Sequence, residues 1–274
     1  MCNENPFSDN QLTFLSELNR EVQMTSHLSR EEKTLISHED SQLNASVPRM
    51  LLILDTETTG LDPDREKCLE IGSILFHVGS RSVLAQHSFL LPVDSNEAET
   101  INKIPAEITR IPQPWQEGLT FLESLINCAD LIVAHNAAFD RQWFGRHPLP
   151  VIDKPWLCTM EDVSWPENRQ VRARTSIREL ALAYEVPVWS IHRALSDCIY
   201  IAEVFRRVED LDLLLTQALE PRKLFRAVIS YEDRHLAKKA GFTWNSPVSG
   251  AWSRRLSERE VSSLSFNVVV VEDF

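Results

Sequence analysis

An α/β fold is what this sequence of 274 residues predicts, and three observations predict it. The apolar run Leu51-Leu52-Ile53-Leu54 reads as a buried strand. Two further strand-like stretches follow at the spacing of an antiparallel meander. After them, segments of helical periodicity alternate with short apolar runs, the pattern of helices packed on a sheet.

Taken in order, residues 1–48 are rich in Ser, Asn, Glu and Gln and form a polar extension. Within it, Asn10–Met24 places Leu12, Leu15, Leu18 and Val22 at helical spacing; whether that segment docks or stays an arm is open. The first strand is Met50–Asp55. The acidic loop Asp62–Lys67 leads to a second strand at Cys68–Val78 and a third at Ser82–Leu91. A short helix lies between Pro105 and Pro112. Trp115–Cys128 is a helix with Leu119, Leu122, Leu125 and Ile126 inward, and Leu131–Ala134 is the fourth strand. Asn136 is expected to cap a helix there, with Ala137 and Ala138 allowing close helix–strand packing. A helix begins at Ser176–Tyr184 with Ile177, Leu180 and Ala181 inward, and another follows His192, patterned by Ile199, Ile201, Ala202, Val204 and Phe205. Pro221 stops the helical region.

Chemistry concentrates where strands end. Side chains alternate along a strand, so Asp55 and Glu57 emerge on one face. Two carboxylates on one face repel and resist burial unless a cation compensates them. Hard oxygen donors suit Mg²⁺ or Mn²⁺. A bare Asp-x-Glu also fits an acidic strand end fraying into solvent. Two later segments bear on that choice: His135-Asn136-Ala137-Ala138-Phe139-Asp140 and His192-Arg193-Ala194-Leu195-Ser196-Asp197. Residues five apart on a helix are separated by about 140°, so His192 and Asp197 cannot share a helical face. If both serve one site, His192 sits in the loop before the helix. Taken alone it reads as a surface or capping histidine, whereas a loop histidine beside a site suits a general base.

In this order, the three motifs resemble the DEDDh branch of the DnaQ-like 3′–5′ exonuclease family. The resemblance spans roughly residues 49–210, and nothing in the tetrad or its histidine is substituted. It implies a ribonuclease-H-like architecture, a mixed central sheet with helices on both faces and the site at the strand ends. It also implies a two-metal phosphodiester hydrolysis by Mg²⁺ or Mn²⁺. Asp55 would bridge the two ions, Glu57 and Asp197 would complete the site of the attacking water, and Asp140 would support the second ion partly through water. His192 would accept the proton from that water, and the product would be a nucleoside 5′-monophosphate. Thr58, Thr59, Gly60 and Leu61 fit a lining for the terminal nucleotide, against the alternative that they only terminate the strand. His135 and Phe139 stand beside Asp140 and join that candidate substrate set; Phe139 also fits a core position.

Composition bounds the partners. Net charge is −12, with 8 acidic and 3 basic side chains in residues 1–48 and 14 against 6 in residues 49–140. Residues 141–210 balance at 10 and 10, and residues 220–274 carry 7 acidic and 9 basic. A protein that wraps many phosphates is basic over a broad face. This one is expected to grip only a few terminal nucleotides, weakly and with strong salt sensitivity; the resemblance implies that they lie at a free, single-stranded 3′ end. Arg169, Arg172, Arg174 and Arg178 form the densest basic cluster, read as a solvated loop or a phosphate grip. No apolar run approaches the ~18–20 residues of a membrane span. Met1-Cys2-Asn3-Glu4-Asn5 lacks the features of a signal peptide, and the five cysteines form no Cys-x-x-Cys pair. A cytoplasmic protein with reduced thiols and no zinc site is the expectation.

Three segments are thus expected: the extension 1–48, an exonuclease domain 49–212, and a small α+β module 221–274. The module reads as strand, helix and a hairpin holding Trp244 and Trp252, and resembles modules appended to nucleic-acid and mobile-element enzymes through Ala-Lys-x-x-Gly-Phe-x-Trp. Its aromatics and basic residues suit single strands; alternatively both tryptophans form its core, the reading favoured for Trp244. Two other functions stay open: a hydrolase of short oligonucleotides resembling oligoribonuclease, and a non-catalytic docking subunit of a replication or repair complex. DNA or RNA preference, a polymerase partner and a homodimer are likewise open.

Overall fold

A computed structural model describes residues 47–271. The extension to residue 46, including the helical pattern of Asn10–Met24, lies outside the described residues.

The sheet follows from the apolar runs. β1 (Met50–Thr58) pairs antiparallel with β2 (Cys68–His77), which pairs antiparallel with β3 (Ser82–Leu90). β4 (Leu131–Ala134) joins the other edge of β1 in parallel and carries β5 (Trp156–Cys158), giving the mixed order β3-β2-β1-β4-β5. β5 escapes the sequence reading because three residues are too few to show a period. β1 also runs three residues beyond the expected end at Asp55, since Thr56 and Glu57 pair in register with Ile71 and Glu70 before a bulge at Thr58. The acidic end is therefore held in the ladder and does not fray.

Alternation splits the core in two. Leu51 and Ile53 face one layer with Ile74, Phe76, Leu131 and Val133. Over them lie α5 (Ile177–Ala183), α6 (Ala194–Arg207) and α7 (Leu211–Ala218), which supply Leu180, Ala181, Ile201, Phe205, Leu211 and Leu215. Leu52 and Leu54 face the opposite layer with Ile71, Leu75 and Ile132, beneath Leu122, Leu125 and Ile126 of α3 (Trp115–Cys128). Leu119 and Ile177 are only half-buried at the margins of these layers. The short helices α1 (Glu99–Asn102) and α2 (Ala106–Thr109) precede α3, and α4 (Ala137–Arg141) follows β4. Asn136 stands at the start of α4 in a left-handed conformation (φ 71°), but its side chain makes no capping bond. The Ala137 amide is bound instead by Cys158 Sγ at 3.3 Å, and Ala138 is exposed, so only Ala137 packs closely. α5 starts with a full capping box between Ser176 and Glu179.

Beyond α7 a second sheet forms in the order β7-β8-β6-β9. β6 (Lys223–Val228) is followed by α8 (Arg234–Lys239), β7 (Thr243–Trp244), β8 (Trp252–Leu256), α9 (Glu258–Ser262) and β9 (Asn267–Val270). The expected hairpin is present; α9 and β9, five and four residues long, are too short to show a period. Phe225, Ala237, Phe242 and Leu256 form the core, with Trp252 packed against it. Trp244 is 54% exposed, which corrects the core assignment: at the edge strand it has neighbours on one side only. A buried polar cluster fastens this sheet to the loop after β5. Arg222 Nη1 meets Glu260 Oε2 at 2.6 Å, each side chain 8% exposed, and Glu260 Oε1 accepts from Ser164 Oγ at 3.0 Å. Among the described residues no helix is long and apolar enough to cross a membrane, and Cys68, Cys128, Cys158 and Cys198 are all free thiols.

Candidate active site

Asp55 and Glu57 prolong the row of Leu51 and Ile53, so β1 delivers both carboxylates to the layer occupied by α6. Asp197 comes from the first turn of α6, and His192 precedes that helix in a left-handed conformation (φ 59°). Ligand-capable atoms of Glu57, His192 and Asp197 all lie within 4.8 Å of one another, which realises the loop placement that the spacing required. Asp140 arrives from α4. Its Oδ1 accepts from the Thr56 amide at 3.0 Å and from Thr56 Oγ1 at 2.9 Å, so the residue between the two strand carboxylates fixes the third. All four acids and His192 line one cleft of about 720 Å³.

The electrostatics of this cluster are unfavourable without a counter-charge. Burial, followed by repulsion from Asp140, Asp197, Glu57 and Glu70, pushes Asp55 well above the ordinary carboxylate range. Glu57 is pushed up to about 8, first by burial and then by Asp197. Burial also raises Asp140, against the opposing bonds from Thr56, and raises Asp197. Asp197 Oδ1 is buried without a hydrogen-bond partner. An orphaned carboxylate oxygen among repelling carboxylates is what a divalent cation resolves, and the donors are hard oxygens with one imidazole. The residues present therefore fit a divalent metal.

The other expected residues sit around this cluster. Thr58 Oγ1 donates to the Gly60 carbonyl at 2.6 Å. Thr59 Oγ1 donates to Glu66 and accepts from the Lys67 amide at 3.0 Å. Both hydroxyls thus serve the turn, while Thr58, Thr59, Gly60 and the 81%-exposed Leu61 still line the cleft. His135 lines it too, but its ring is bound at Nδ1 to Thr159 Oγ1 (2.9 Å) and at Nε2 to the Thr175 carbonyl (3.0 Å). Burial holds that imidazole down to about 4, hence neutral. Phe139 is half-buried, edge-on to Trp143, with one side to the cleft.

Two residues escaped the sequence reading. Glu70, 3% exposed, stands opposite Glu57 on β2 and receives Arg193 as a fork, Nη2–Oε1 2.8 Å and Nε–Oε2 3.1 Å. It also accepts the Ala194 amide at 3.0 Å, at the start of α6. A single acid inside the apolar run Cys68–Val78 was the available signal. Of the arginine cluster, Arg172 pairs with Glu179, Arg174 with Glu161, and Arg169 lies over the Tyr184 ring.

Comparison with known proteins accords with this geometry. A family model described as "Exonuclease" matches residues 52–205, and one described as a "domain of unknown function" matches residues 223–271. The DNA polymerase III PolC-type of Thermotoga petrophila is 30% identical over 188 residues, 63% of this chain, and that of Thermotoga maritima 28% over 186. The chain spans only 12% and 13% of the length of these relatives. Among solved structures, E. coli exonuclease I in complex with a dT13 oligonucleotide superposes with TM-score 0.51 at 13% identity. The match covers 80% of this chain and 68% of that one. Exonuclease X in complex with 5′-overhanging duplex DNA is 27% identical at TM-score 0.41, covering 57% and 89%. With the match at residues 52–205 taking in more than half of the chain and all five clustered residues, the protein belongs to the DnaQ-like exonuclease family.

Proposed function

We propose that this protein is a metal-dependent 3′–5′ exonuclease that releases nucleoside 5′-monophosphates from single-stranded nucleic acid. The observation that carries this reading is the convergence of Asp55, Glu57, Asp140, Asp197 and His192 on one cleft. The four carboxylates would hold two ions, Mg²⁺ or Mn²⁺. When bound, such ions supply positive charge against the charge building on the phosphate and favour ionisation of the attacking water. His192 accepts the proton of that water as its oxygen bonds to phosphorus. The bond from phosphorus to the 3′ oxygen of the preceding nucleotide breaks, and that oxygen takes up a proton. Thr56 holds Asp140 in place from below, and Glu70 with Arg193 seats the loop of His192. The curated relatives are DNA polymerases, which supports DNA as the first substrate to test. A cytoplasmic location belongs to this reading as well.

The test uses 3′- and 5′-labelled single-stranded DNA and a matching RNA pair, incubated in Mg²⁺, in Mn²⁺ and in EDTA, with Asp55→Ala as control. Early mononucleotide from the 3′ label and a descending ladder from the 5′ label are expected, absent in EDTA and in the variant. Protein that binds Mn²⁺ yet cleaves no strand would replace this reading with a docking role. Cleavage confined to short strands would point to the oligonucleotide hydrolase.

A further inference from the structure

The second sheet ends at β7, a two-residue edge strand whose Trp244 pairs across the ladder with Trp252. The two indoles meet at a tilt of 55° with centroids 5.7 Å apart; Trp252 rests on the core and Trp244 stays 54% exposed. A single exposed aromatic is ordinary in itself, so its position decides what it means. Thr243 Oγ1, one residue earlier, accepts from Arg174 Nη1 at 2.8 Å. Ala173 lies so close to Gly241 that a Cβ there would meet its Cβ at 2.8 Å. On its other side, the same loop gives the Thr175 carbonyl to His135 and lines the cleft with Ser176 and Ile177. One loop therefore touches both the cleft and the tryptophan edge.

Charge follows the same path. Residues 168–178 contain four arginines and no acid, in a chain of net charge −12. Arg172, 72% exposed, pairs with Glu179 at the surface, and Arg174 pairs with Glu161 beside its bond to Thr243. Such pairs are worth little in water, so a phosphate can replace the carboxylate at small cost. Open indole faces next to loosely paired guanidinium groups match unpaired bases on a phosphate backbone, whereas a duplex hides the base faces.

We propose that this loop and the Trp244–Trp252 edge form a platform for the 5′-ward part of a single strand whose 3′ end occupies the cleft. Trp244 stacks on a base, and Arg172, Arg174 and Arg178 meet phosphates. The proposal rests on the exonuclease reading, so its test must stand apart from cleavage. Anisotropy of labelled oligothymidylates of about five and about twenty nucleotides, and of their RNA counterparts, is measured in EDTA with the full chain. Trp244→Ala should weaken the long strand by about fivefold to a hundredfold, on DNA and RNA alike, and leave the short one within about twofold. Trp244→Phe should keep most of the affinity, and Arg172→Ala with Arg178→Ala should lessen the dependence on salt. Unchanged long-strand binding by Trp244→Ala, equal loss on both lengths, or a Phe variant as weak as Ala would each overturn the platform. Trp244-dependent binding by a wild-type protein that cleaves nothing would sustain the platform and sink the exonuclease reading.

Discussion

Glu57 and Glu70 face each other on one rung of the β1–β2 ladder, an arrangement that repels unless each acid has its own counter-charge. Glu70 has Arg193, which the chain itself supplies, and the metal proposed for the cleft would be the counter-charge of Glu57. Because Arg193 and the Ala194 amide flank His192 and α6, Glu70 would act on the proposed chemistry by positioning His192. Glu70→Gln should lower kcat by roughly tenfold or more with KM little changed, since a small misplacement of a reacting group is costly. Arg193→Ala should do the same and the double variant no worse, because both remove one linkage; additive losses in a double-mutant cycle would contradict this. His192→Ala should cut turnover by roughly 10²–10⁴ while Mn²⁺ titration stays nearly as in the wild type. Asp55 and Glu57 were legible in the sequence because alternation is a local rule. Glu70 was not, because its partner lies 123 positions along the chain and only folding brings them together.

The element that matters most is α6, which brings Asp197 to the site and rests directly on β2. A Cβ on Gly72 would come within 2.3 Å of the Ala194 carbonyl carbon and the Leu195 amide nitrogen, so glycine is what lets strand and helix meet. Gly72→Ala must push backbone against backbone. It should cost activity by about 10²-fold and lower Tm, whereas Gly79→Ala, where only the His77 ring is near, should change neither; matched behaviour of the two would refute the close-approach account. The meander, α3, β4 and α6 were legible from their periods, since each is long or strongly apolar. The capping of α4 was not: Asn136 is the residue type that caps helices, yet a cysteine from the neighbouring strand binds the free amide. That substitution of one partner for another depends on tertiary contact and leaves no local trace.

At the scale of the molecule, the four site carboxylates hold protons in the folded chain that an unfolded chain releases. Groups raised in this way stabilise fully at low pH and lose that contribution as pH rises, through about 8 for Glu57. His135, held down to about 4, works in the opposite sense, but its effect is complete above about pH 6.5. In EDTA, Tm should therefore fall between about pH 6.5 and 8, and added Mn²⁺ should restore more at the upper end. A flat or rising Tm over that range would count against carboxylate repulsion. Glu260 sits where the second sheet meets the loop after β5, and Glu260→Ala would leave Arg222 buried beside a lost partner, at a cost of about 3–5 kcal/mol in chemical denaturation. The motifs made the larger sheet's function legible, but the exposure of Trp244 was not, since edge and centre strands carry the same residue types. Sulfur gives the site a further property. Cys158 binds the amide that opens α4, and Cys198 follows Asp197 with its thiol toward the Ile53 carbonyl, both buried and both raised above the ordinary thiol range. Such thiols react with an alkylating reagent only when the surrounding structure opens. Peptide-resolved labelling of Cys158 and Cys198 thus clocks the breathing of the catalytic elements without any substrate, with exposed Cys128 as the internal reference for full reactivity.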